Sequence, residues 1–213
     1  MLKVLRPIAT FATLLAVAPS AFAQDRPQIA TVNYALQYFA DRLMGGDADV
    51  IFPVPQDADP SFWRPGVADI SVMQSADLIL LNGAGFATWV DRVSLPRSRL
   101  VNTSAAIREE YIVTESVTHS HGDGGEHSHE GLASHTWLDP TLAIAQAEAV
   151  AGAIASRELA PASDVYARFE ELRKDLQELD ARAMDIFADA GDVAMIATHP
   201  RYQYLARRYD LSI

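Results

Sequence analysis

Six histidines and no cysteine set the chemistry open to this chain. Without thiolate, a bound metal has to be held by imidazole and carboxylate. Four of the histidines form two His-x-His pairs, His119 with His121 and His127 with His129. Asp123, Glu126 and Glu130 stand among them. Imidazole is neutral at pH 7 and donates well to zinc. On a mobile loop two such pairs capture metal loosely, because ordering the chain costs entropy. The same composition also suits a solvated polar loop.

The other two histidines are placed differently. His135 lies in Ser134-His135-Thr136-Trp137-Leu138-Asp139-Pro140. Trp137 and Leu138 are expected to pack inward and hold His135 in position. Asp139 suits either the N-cap of the next helix or a partner that orients an imidazole. His199 follows the apolar run 193–197 and precedes Pro200. In open parallel sheets, ligands bind beyond the carboxyl ends of the strands. His199, the His135 loop and the segment 55–65 all fall at such ends. Three loops are therefore expected to meet at one cleft.

The elements that carry these loops alternate in type. Strands are expected at 29–32, 49–52, 77–81, 99–101 and 193–197, with a further one beginning at 211–213. Helices are expected at 33–44, 67–75, 86–93, 142–159, 163–190 and 202–209. Asn33 is a candidate N-cap and Gly45-Gly46 a stop. Strands alternating with helices imply a parallel sheet of α/β type. In the 163–190 helix, Val165, Phe169, Leu172, Leu176, Leu179, Ala183 and Phe187 recur at spacings of three and four. They give one continuous apolar stripe. The segment 118–134, rich in His, Gly, Ser and acid, is expected to be a mobile loop.

The chain has 213 residues, 49% hydrophobic, and a formal charge of -11. The charge excludes nucleic acid, whose phosphates need a basic surface. Lys3 and Arg6, an apolar run over 8–18 and Ala21-Phe22-Ala23 have the three-part form of a cleaved signal peptide. No stable membrane insertion is expected after cleavage, since no later apolar stretch is long enough to span a bilayer. The expected layout is a signal peptide at 1–23 and an α/β metal-binding lobe at 24–160. A long linker helix at 161–190 and the beginning of a second α/β lobe at 191–213 follow. A strand–helix–strand unit that stops as its second strand begins cannot bury its own faces, so most of that second lobe is expected to be missing.

The ordered motifs carry a resemblance. They run from Asp59-Pro60-Ser61-Phe62-Trp63-Arg64-Pro65, through Ala76-Asp77-Leu78 leading to Asn82-Gly83, to the His-rich loop. His135-Thr136-Trp137-Leu138-Asp139-Pro140, the long helix and His199-Pro200-Arg201-Tyr202-Gln203-Tyr204-Leu205 follow. In this order they resemble the zinc/manganese class of ABC-transporter solute-binding proteins, from the signal peptide to the last residue. The resemblance implies two α/β lobes joined by a long helix. It also implies a metal held in the cleft by three histidines and a carboxylate of the second lobe. His135 and His199 match two of these ligands. Ser61 stands where the first histidine is expected, and a hydroxyl is a poor zinc ligand beside imidazole. The carboxylate position falls beyond Ile213. The remaining donors are open among water, a loop histidine, Asp59 and carboxylates of the second lobe.

The implied function is capture of a divalent transition metal in the periplasm for delivery to an ABC-transporter membrane permease. Nitrogen donors favour Zn2+ over Mn2+, which prefers more oxygen. A stand-alone periplasmic metal buffer or chaperone, with the His-rich loop as its main site, is the alternative. Two histidines and a water could also activate a nucleophile. However, the chain has neither a His-Glu-x-x-His motif nor a Gly-x-Ser-x-Gly elbow, and it is not expected to be an enzyme.

Overall fold

The computed structural model describes residues 26–114, 131–188, 190 and 193–213. The proposed signal peptide, His119, His121, His127, His129 and Gly191 lie outside them. Four parallel strands form the sheet: β1 (Gln28–Thr31), β2 (Asp49–Ile51), β3 (Leu78–Leu81) and β4 (Leu100–Asn102), in the order β2-β1-β3-β4. Ile29 pairs with Val50 on one side and Leu78 on the other, and Ile79 pairs with Leu100. The central strands β1 and β3 are apolar runs because both of their faces are covered.

Helix α1 (Tyr34–Met44) begins at Asn33, whose Oδ1 accepts from Leu36 N at 2.9 Å. It ends at Gly45, which is left-handed at φ 62° and donates to Asp41 O at 3.0 Å. Arg168 closes the same helix end, donating to the carbonyls of Leu43 and Met44 at 3.2 and 2.9 Å. A Cβ on Gly45 would stand 2.5 Å from that guanidinium carbon, so a side chain there would displace Arg168 as well as strain the left-handed backbone.

Helix α2 (Val67–Ser75) agrees with the expectation at both ends. The helix expected at 86–93 is instead a 3-10 turn, Thr88–Arg92. Ala84 and Ala87 have positive φ, 48° and 56°, and interrupt helical geometry before it starts. Of the expected loop 118–134, only residues 131–134 are described, and they are ordered. Its last residues form β6 (Gly131–Leu132), antiparallel to β5 (Val113–Thr114), and Ala133 is buried.

Helix α3 (Pro140–Ser156) and helix α4 (Ala162–Phe187) pack on α1 and close one face of the sheet. On α4 the stripe is buried only through Val165, Phe169, Leu172 and Leu176. Leu179 is 55% exposed, so the stripe is not continuous to Phe187 as expected. The outer half instead meets α5 (Gln203–Tyr209). Asp180 accepts from Arg208 Nε at 2.9 Å and from Tyr209 OH at 3.0 Å, and Phe187 lies against the Tyr209 ring. No strand forms at 193–197 or 211–213, contrary to expectation. A strand needs a partner ladder, and the two segments share one backbone bond, Met195 N to Ser212 O at 2.8 Å. Among the described residues, no helix is long and apolar enough to cross a membrane.

Leu172 is fully buried where α4 meets the core. Leu172→Ala should lower unfolding stability by about 2–5 kcal/mol, the usual cost of a core cavity. Chemical denaturation measures this, and a loss under about 1 kcal/mol would mean that α4 is not docked as described.

Candidate metal site

A cleft of about 590 Å³ opens where the carboxyl ends of β2 and β3 meet the segment before α5. Ser61, His135, His199 and Arg201 all line it, with Phe86 and Leu132 as apolar walls. The three expected loops therefore do converge. The His199 segment is irregular rather than the end of a strand.

His135 is set in place from both sides. Asn82, at the end of β3, donates through Nδ2 to Ser134 O at 2.9 Å. On the other side, Thr136 Oγ1 donates to Gln146 Oε1 at 2.9 Å. Gln146 Nε2 in turn donates to Thr103 Oγ1 at 3.0 Å and Asn82 Oδ1 at 3.2 Å. Asn82, Thr136 and Gln146 are fully buried. Asp139 acts as a cap rather than an imidazole partner: its Oδ1 accepts from Thr141 N at 2.8 Å. Trp137 packs against the core as expected.

The His135 ring lies edge-on to Phe86, with centroids 5.7 Å apart, and 5.0 Å from Trp137. Burial pushes its pKa down to about 4. The nearby Arg201 cation adds to this, and Asp59 partly opposes it. The ring is therefore neutral across the physiological range, with a lone pair available for coordination. His199 is exposed, and its Nδ1 lies 3.1 Å from Thr198 Oγ1.

Asp59 and Ser61 sit in a tight turn. The Asp59 carbonyl accepts from Trp63 N at 2.9 Å, and Trp63 lies edge-to-face with Trp89 at 5.8 Å. Asp59 Oδ1 accepts from Ser61 N at 2.9 Å, and Oδ2 pairs with Arg201 Nη2. Burial alone would raise the Asp59 carboxyl. The Ser61 N–H and the Arg201 guanidinium outweigh it and hold the group below the ordinary carboxylate value. Ser61 Oγ is buried beside the Asp59 carboxylate, where it helps to hold that group charged without making a hydrogen bond of full geometry. Among the described residues, no group of three His, Asp or Glu side chains is gathered closely enough to hold a metal ion.

Arg201 and Phe86 were not singled out as site residues in the sequence. Asp59 and Arg201 are 142 residues apart. The available signal was an acid and a base, each inside a motif at a strand-end loop.

A parallel α/β lobe with polar groups gathered beyond its strand ends has the arrangement in which open α/β sheets bind ligands. The chain matches the family described as zinc-uptake complex component A, periplasmic, over residues 29–213, and it belongs to that family. It is 23% identical over 214 residues to the zinc-binding protein AdcA of Streptococcus pyogenes serotype M3, covering 95% of this chain and 42% of that protein. It is 26% identical over 204 residues to the high-affinity zinc uptake system protein ZnuA of Bacillus subtilis, covering 88% and 60%. These curated relatives are thus considerably longer than the matched part. The structure of the solute-binding protein FpvC from Pseudomonas aeruginosa, in complex with Mn2+, superposes with a TM-score of 0.73. It is 20% identical, with 89% of this chain and 68% of that chain covered.

The His135 ring should titrate near pH 4 in the metal-free protein, against about 6.5 for an unperturbed imidazole. Between these values the unfolded chain binds a proton that the folded chain does not. This residue's contribution to stability therefore falls as the pH drops from 6.5 toward 4. NMR of the imidazole carbons measures the midpoint, and a midpoint near 6.5 would contradict the buried placement.

Proposed function

We propose that this protein captures a divalent transition metal outside the cytoplasm, zinc ahead of manganese, and delivers it to an ABC-transporter membrane permease. The observation that carries this reading is the shared cleft of His135 and His199. One imidazole is held rigid and neutral against Phe86 and Trp137, and the other approaches from the segment before α5. Imidazole suits zinc, and manganese favours oxygen-rich sites. The names of the two zinc-related relatives support the same choice.

The proposed layout keeps a signal peptide at 1–23, the metal-binding lobe at 24–160, the linker helix at 161–190 and the start of a second lobe at 191–213. One apolar cluster runs from Ile29 through the inner half of α4 to Leu176, and Tyr204 packs with Ala133 and Leu142 in a smaller one, so the packing crosses the proposed boundaries at 160 and 191. The role is capture and transfer rather than catalysis. His135 and His199 supply two donors, and zinc generally takes four. Asp59 is committed to Arg201 and Ser61 N, which leaves water, a loop histidine or residues outside this chain for the rest.

Thr114, Gly131 and Leu132, which flank the segment 115–130 in sequence, line the cleft. The alternative, a buffer whose main site is the loop, is therefore tested together with the cleft. Calorimetric zinc titration should show His135→Ala and His199→Ala each weakening binding by at least about 100-fold, beyond the 10–100-fold typical of outer-sphere partners. Deleting 118–130, which leaves both hairpin strands, should change affinity by less than about tenfold. Abolished binding on deletion, with neither alanine variant affected, would move the site to the loop.

A further inference from the structure

The two cleft histidines share one local arrangement. In each, the hydroxyl of the preceding residue faces Nδ1 of the ring. Ser134 Oγ lies 3.3 Å from His135 Nδ1, and Thr198 Oγ1 lies 3.1 Å from His199 Nδ1. The settings are otherwise unlike. His135 is half-buried between β6 and α3, and His199 is exposed in the irregular segment before α5. Shared packing therefore does not explain the repetition.

A neutral imidazole carries a proton on one ring nitrogen and a lone pair on the other. Which nitrogen holds the proton is set by the hydrogen bond that the ring makes. In both rings Nδ1 is covered by a hydroxyl, so Nε2 is the atom left for a metal. A metal on Nε2 requires the ring proton on Nδ1, and an oxygen that accepts that proton fixes both tautomer and ring orientation. A free imidazole side chain in water favours the opposite tautomer, with the proton on Nε2, where it blocks a metal.

The two hydroxyls differ in support. Ser134 lines the cleft, and its carbonyl accepts from buried Asn82 Nδ2 at 2.9 Å. Thr198 is exposed. Among the described residues neither hydroxyl makes another hydrogen bond, so each can be removed without breaking a second contact.

We propose that Ser134 and Thr198 are positioning residues of the metal site: each accepts the Nδ1 proton of the histidine that follows it and so presents Nε2 of His135 and of His199 to the metal. The inference rests on the metal-capture reading and adds to it the coordinating atoms and the residues that select them. The competing account is that both hydroxyls are ordinary polar side chains and that each ring takes its tautomer without them.

NMR of the ring nitrogens in the isotope-labelled full chain reads the tautomer directly, with or without metal. In the metal-free protein His135 should carry its proton on Nδ1, and Ser134→Ala should return it to Nε2. Added zinc should shift Nε2 of both rings more than Nδ1. Calorimetric zinc titration should show Ser134→Ala weakening binding by about tenfold or more, as for other outer partners of metal-bound histidine. Thr198→Val should weaken it by about threefold, because water replaces a partner lost at an exposed position. Thr198→Ser, which keeps the hydroxyl, should bind as the wild type does. A purely structural role would lower the melting temperature of these variants and leave the tautomer unchanged. Zinc bound through Nδ1 of either ring overturns the inference and leaves metal capture standing. So does a His135 tautomer that Ser134→Ala does not change, or a zinc affinity unaltered in either hydroxyl-free variant. Zinc that perturbs neither ring overturns both readings.

Discussion

The buried carboxamide of Asn82 joins the parts of this structure that have to agree for a site to exist. Its Oδ1 accepts from Asn33, which caps α1, and from Gln146 on α3, and its Nδ2 holds Ser134 beside His135. Inside a protein, such networks are strong when complete and costly when one member is lost. The backbone on either side is equally constrained. Gly83 sits at φ 75°, and a Cβ there would fall 2.2 Å from Asn102 Oδ1 and 2.3 Å from Ser104 Oγ. Glycine at the end of β3 thus keeps room for the Asn102 and Ser104 side chains beside the Asn82 network.

Local signals account for most of the fold that was legible. Asn33 and Gly45 mark both ends of α1 because capping is a property of a residue and its immediate neighbours. The central strands were legible because burial on both faces demands an apolar run. The failures have a common origin in non-local or silent determinants. Residues 193–197 have strand composition, but no ladder forms without a second strand in register. Ala84 and Ala87 adopt left-handed geometry, which alanine does not advertise in a sequence. Of the candidate site, His135 and His199 were readable from their motifs. The engagement of Asp59 by Arg201 was not, since only tertiary structure brings those loops together.

The two histidines play different parts because their supports differ. His135 is fixed by hydrogen bonds on both flanking residues and by two aromatic faces. Its burial is unfavourable to a proton, and the residue lines the cleft. The ring therefore stays neutral at mildly acidic pH, across the range in which an unperturbed imidazole titrates.

His199 stands on the opposite kind of support. Residues 193–202 have no regular structure, and Ile196 is wholly exposed. What holds the segment is α5 behind it. Tyr204 is buried, accepts from Ile112 N at 3.2 Å and donates to Ala133 O at 3.0 Å. Arg208 and Tyr209 grip Asp180 on α4. Arg201 adds the only ion pair among the described residues that ties this segment to the Asp59 turn. One wall of the cleft is therefore built into the sheet, and the other is suspended between α5 and a single charge contact. A ligand bridging His135 and His199 therefore bears the ordering entropy of the suspended wall only in part, because α5 and the Arg201–Asp59 pair already restrain it.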